Sequence, residues 1–170
     1  MTHLSMDPLT LSHVAITLIA IASGLLVLAQ MLKNTLSGGL TGLFLATTLL
    51  TSVTGFVFFH PANPPTPGQI VGVVALVILA PTLAGLYLKH LAGAWRAIYV
   101  IGAVISLYLN VFVLVNQLFT KVPSPFQPLE GHPPAGPAFG AVQGIVLLAF
   151  VVAGWRATKT FHPIGHPVGA

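Results

Sequence analysis

AIYVIGAVISLYLNVFVLVNQLF, residues Ala97–Phe119, holds 23 consecutive positions without Asp, Glu, Lys, Arg or Pro. A hydrocarbon core about 30 Å thick is crossed by roughly 20 helical residues, each advancing about 1.5 Å. Backbone N–H and C=O groups in hydrocarbon must be satisfied within the segment, so such a run is helical. Reading outward, four more runs meet the same test: Leu11–Leu32, Gly39–Phe59, Gln69–Leu88 and Phe139–Trp155, the last being the shortest. None holds Asp, Glu, Lys or Arg. The runs are apolar on all sides and lack a two-residue alternation, which speaks against an outer-membrane barrel. The expected fold is an all-α integral membrane bundle of five transmembrane helices forming a single domain over residues 1–170.

Composition agrees. Charged residues make up 5% of the 170-residue chain against roughly 25% in soluble domains, and 55% are hydrophobic. The mean hydropathy is +0.95. A soluble enzyme is excluded, because so few charges cannot clothe a surface in water. A formal net charge of +4 is too small for a nucleic-acid-binding face. With no cysteine, disulfides, thiolate metal sites and cysteine nucleophiles are excluded too.

Five crossings put the termini on opposite sides. One side receives Lys33, Lys89, Arg96, Arg156 and Lys159, and the other only Lys121. The positive-inside rule then predicts the N-terminus outside and the C-terminus in the cytoplasm. Trp95 with Arg96, and Trp155 with Arg156, read as interface anchors on the cytoplasmic side. Met1–Thr10 lacks a basic n-region, so the first span is expected to be a retained anchor rather than a cleaved signal. The outer loops are proline-rich connectors of extended backbone, the longer one carrying Glu130 and His132 as possible partner contacts.

Polar residues inside the spans are the pointers to function. In the second span Thr47, Thr51 and Thr54 share one stripe, with Thr48, Ser52 and Gly55 on the next. Helix packing is the simpler reading of Thr47 and Thr51, since hydroxyls bond their own i−4 carbonyls. In the fourth span Tyr99, Ser106, Asn110 and Gln117 follow one another at seven, four and seven residues, on about one face. Asn110 is expected to face the hydroxyl stripe or Gln143, either as interhelical glue or as part of a pocket for a quinone, lipid or pigment headgroup. Gly140 and Gly144, a GxxxG pair within the fifth span, read as a close helix contact inside the chain or between chains. Pro81 should kink the third span.

Seven histidines are many for a chain so poor in other ionisable groups. His13 and His60 fall at the outer ends of the first two spans. They are candidates to ligate a b-type haem, or a metal ion with Glu130 or His132. The alternative is that each is an interfacial residue with its polar end in water.

TTLLTSVTGF at Thr47–Phe56 and LAGAWRAIYVIGAVISLYLNVFVLVNQLF at Leu91–Phe119 resemble a group of uncharacterised small proteobacterial inner-membrane proteins. The resemblance covers a little under half of the chain, between about Ala46 and Lys121. It implies a multi-pass protein of the bacterial inner membrane with no assigned activity, in which Trp95, Arg96 and the Asn110 face belong to a recurring core. The function expected is that of a non-enzymatic accessory or structural subunit, acting through helix contacts with companion subunits or a second copy, and without nucleic acid. A haem- or quinone-binding redox protein and a small neutral-solute transporter or channel are the alternatives. Coupled transport is disfavoured because no span carries a carboxylate or a Lys/Arg relay.

Overall fold

The computed structural model describes residues 8–58, 67–121 and 136–163. Among them there is no strand, and five helices are long and apolar enough to cross a membrane. They are α1 (Pro8–Leu32), α2 (Gly38–Phe58), α3 (Pro67–Leu83), α4 (Ala94–Lys121) and α5 (Pro137–Thr160). Helix α5 opens on Pro137, whose missing N–H is no loss in a first turn.

The helix ends are built from local chemistry. Asn34 takes up φ 56°, the left-handed conformation Asn tolerates best after glycine. That closes α1, with Thr35 N–H on the Gln30 carbonyl at 2.9 Å and Asn34 N–H on the Met31 carbonyl at 3.1 Å. Two residues later Ser37 caps α2, its Oγ accepting from Leu40 N–H, while Ser37 N–H donates to Gln30 Oε1. The α1–α2 hairpin is therefore closed by its own backbone and two polar side chains.

α3 runs through Pro81 and widens into a π-helical turn, Ala84–Leu88, in which Lys89 N–H reaches back five residues to Ala84 O. The irregularity expected at the proline is thus met just beyond it. α5 departs from its expected length. It continues past Trp155 to Thr160 and, at 24 residues, is not the shortest helix. Arg156 and Lys159 face outward at its interfacial end, where basic heads reach water without ending the helix.

α4 is the hub and packs against each of the other four helices, whereas α5 touches only α4 and α1. Phe44, Leu45, Leu79, Leu86, Tyr99, Val100 and Leu107 form the sealed centre with Val27 and Met31 of α1. Outward lie Val77, Ile145 and Leu148, each about two-thirds exposed, a surface suited to lipid rather than water. Lys33, Lys89, Arg96, Arg156 and Lys159 gather at one end of the bundle, and Lys121 lies in α4 toward the other.

Close approach in the bundle rests on glycines that spacing alone does not reveal. A Cβ on Gly102 would fall on Thr82 of α3, and one on Gly24 would lie 2.6–2.8 Å from Leu107 and Phe44. Gly140 and Gly144, expected to mark a close contact inside the chain or between chains, have nothing within 4 Å of such a Cβ among the described residues. They sit on the side of α5 turned away from α4 and α1.

Candidate functional site

The polar side chains of the spans collect in two layers and a clamp. The first layer joins α1 to α2 near the end opposite the basic cluster. His13 Nδ1 lies 2.9 Å from Thr54 Oγ1. Thr54 gives its single hydroxyl proton to Leu50 O at 2.7 Å, so the imidazole Nδ1 is the donor to Thr54. One turn deeper, Thr17 donates to the His13 carbonyl at 2.9 Å and meets Thr51 Oγ1 at 3.2 Å, with Thr51 supplying that proton. Thr51 and Thr54 therefore form a ladder to α1, and a Cβ on Gly55 would come 3.8 Å from the His13 ring.

The second layer lies in mid-bundle. Asn110 Nδ2 donates to Thr48 Oγ1 at 3.2 Å, joining α4 to the hydroxyl stripe of α2. Gln143, the other partner considered for Asn110, instead donates to the Phe112 carbonyl at 3.2 Å and ties α5 to α4. Thr47 turns its hydroxyl onto the Leu43 carbonyl of its own helix, and Ser52 does the same with Thr48. Ser106 is fully buried on the Asn110 face, with no partner for its Oγ among the described residues. Gln117 shares that stripe but is exposed near the end of α4, where neighbouring helices no longer cover it.

The clamp stands at the basic end. Arg96 Nη1 donates to the carbonyls of Thr158, at 2.8 Å, and Phe161, at 2.6 Å. These belong to the last turn of α5 and the residue after it, where carbonyls lack intrahelical donors and the helix dipole favours a cation. Phe161 is fully buried and packs on Tyr99 with ring centroids 6.2 Å apart. Next to it, His162 N–H donates to Asn34 Oδ1 at 2.7 Å, binding the chain after α5 to the end of α1.

Of the expected interface anchors, Arg96 thus clamps the end of α5. Trp95 is half-buried under the Lys89 ammonium, 5.7 Å from its ring centroid, while Trp155 and Arg156 are exposed. Among the haem or metal candidates, His60, Glu130 and His132 lie outside the described residues. Among the described residues no three His, Cys, Asp or Glu stand together. No family model matches this chain, and neither does any curated protein or solved structure.

Sequence reading missed the clamp, Thr17, Gly24 and Gly102. Thr17 follows His13 by four residues and was legible as the same helix face. Nothing local announced the others. A glue role for Asn110 has a direct consequence. Asn110→Leu should lower bundle stability by about 0.6–2 kcal/mol. A double-mutant cycle with Thr48→Val in detergent unfolding should show positive coupling, and additive effects would mean that the pair carries no interaction energy.

Proposed function

We propose that this chain is a non-enzymatic, multi-pass protein of the bacterial inner membrane that serves as an accessory or structural subunit, meeting companion helices through the outer side of α5. The observation that carries the reading is how the polar groups are used. Asn110, Gln143, His13 and Arg96 each bond another helix of the same chain, leaving them to hold the bundle together. α5, by contrast, buries only Gln143 and Ala157 and presents Gly140 and Gly144 outward. A small-residue stripe on the outermost helix suits close approach by a helix from a companion or a second copy. The bacterial membrane rests on the resemblance in α2 and α4, and the orientation with the C-terminus in the cytoplasm on the five-to-one placement of basic residues.

Affinity isolation in mild detergent, followed by mass spectrometry and an absorption spectrum, tests this reading. Companion subunits should co-purify in fixed proportion and be lost from a Gly144→Leu variant. A pure, monomeric preparation would sink the reading, and a Soret band lost in His13→Ala would replace it with a haem protein. A cysteine at Ser124 should be labelled from the periplasm and one at Thr160 should not; the reverse pattern would invert the orientation.

A further inference from the structure

The exposed side of α5 carries two stripes. Gly140, Gly144, Leu147 and Val151 form one. Ile145, Leu148, Ala149, Val152 and Arg156 form the other, about 120° further round the helix at 100° per residue. The second stripe borders a shallow, open depression. With Leu32 of α1 and Ala153 it lines an open groove of about 470 Å³, in which small alanines lie between larger aliphatic side chains. The groove runs from Ile145 to Arg156, a rise of about 16 Å, close to the roughly 15 Å depth of one leaflet's hydrocarbon.

Its mouth is strongly basic. Arg156 lines it, Lys159 lies one turn beyond on the same stripe, and Lys33 directly follows Leu32. The side chains of all three are exposed, and their charged groups have no hydrogen bond or ion pair among the described residues. The chain's two carboxylates, Asp7 and Glu130, both lie outside those residues. A guanidinium with five donors and no acceptor suits a phosphate, and two nearby ammonium groups favour a net negative headgroup over a zwitterion.

We propose that the α1–α5 groove is a site for an anionic phospholipid of the basic-side leaflet, one acyl chain lying along Ile145–Ala153 and the phosphate held by Arg156 with Lys33 and Lys159. A groove one leaflet deep, apolar along its length and cationic at the interface, has this occupant's distribution of charge. The site is distinct from the glycine stripe and does not depend on a companion subunit.

Native mass spectrometry of the full chain in detergent tests it, with equal amounts of phosphatidylglycerol and phosphatidylcholine bearing the same acyl chains. The wild type should retain phosphatidylglycerol about tenfold over phosphatidylcholine. Arg156→Gln should abolish the preference, and Ala149→Trp, which fills the groove, should reduce retention of both lipids. Lys89→Gln, at the same end but away from the groove, should change neither. Melting curves should show each variant folded, and Leu147→Trp on the other stripe controls for bulk. Equal retention of the two lipids by wild type would overturn the proposal. So would an unchanged preference in Arg156→Gln, an equal loss in Lys89→Gln, or a lipid-independent dimer that Ala149→Trp dissociates, which would make a second copy the occupant.

Discussion

Exchanging Arg96 for methionine is expected to open the last two turns of α5 while α1–α4 stay closed. One guanidinium nitrogen holds two carbonyls, Thr158 O and Phe161 O, where the helix has run out of its own donors. Hydrogen bonds to a charged donor contribute about 1.5–3 kcal/mol each, less where solvent reaches them, and Arg96 is only half-buried. A net loss of about 2 kcal/mol is the expectation. It should fall locally, because α5 is otherwise fixed by the Gln143 bond, by the His162–Asn34 bond just beyond it and by packing on α4 and α1. Releasing Phe161 also uncovers the Tyr99 ring. Hydrogen exchange should rise in residues 156–162 and remain unchanged in α2. Arg96→Lys should restore part of the protection, since an ammonium can reach one carbonyl but lacks the planar spread for two. Unaltered exchange in Arg96→Met would mean that the clamp holds nothing.

Gly102→Ala should damage the centre of the bundle instead. The added methyl coincides with Thr82 Oγ1, which is itself fixed by donation to Ile78 O at 2.7 Å. Relief requires Thr82 to give up that bond and change rotamer, or α3 to move against α4. Overpacking of this kind costs about 1–3 kcal/mol, and a lower melting temperature in detergent is the readout. Gly102→Ala combined with Thr82→Ala should recover much of the loss, because the colliding hydroxyl is gone. Gly140→Ala, which meets only open space, should keep or slightly raise the stability of the isolated chain, since alanine is the better helix former. Equal melting temperatures for Gly102→Ala and wild type would contradict the α3–α4 contact.

These two residues also show where sequence reading runs out. Helix number and approximate limits follow from hydrocarbon thickness and backbone hydrogen bonding, which depend on runs of residues and are visible locally. Asn110 was legible for a related reason: a carboxamide in the middle of an apolar run needs a partner, and a neighbouring span offered a row of hydroxyls. The Arg96 clamp is not legible in sequence, because its partners are 62 and 65 residues away and are backbone carbonyls, which carry no side-chain signature. Gly102 and Gly24 looked like any of the 17 glycines until the facing side chains were in place. Gly140 and Gly144 have the motif spacing, yet no described residue neighbours them. The helix α5 outlasts the apolar run by five residues, because basic residues at an interface need not end a helix.

The position of α5, joined to α4 and α1 and to neither α2 nor α3, bears on biogenesis. A nascent polypeptide leaves the translocon from its amino end, and the four earlier segments can settle around their hub while the fifth is still being made. The fifth then docks laterally onto a surface already assembled. A chain ending near Gly136 would accordingly leave uncovered the α4 flank around Tyr108 and Phe112 that Phe150 and Gln143 now cover.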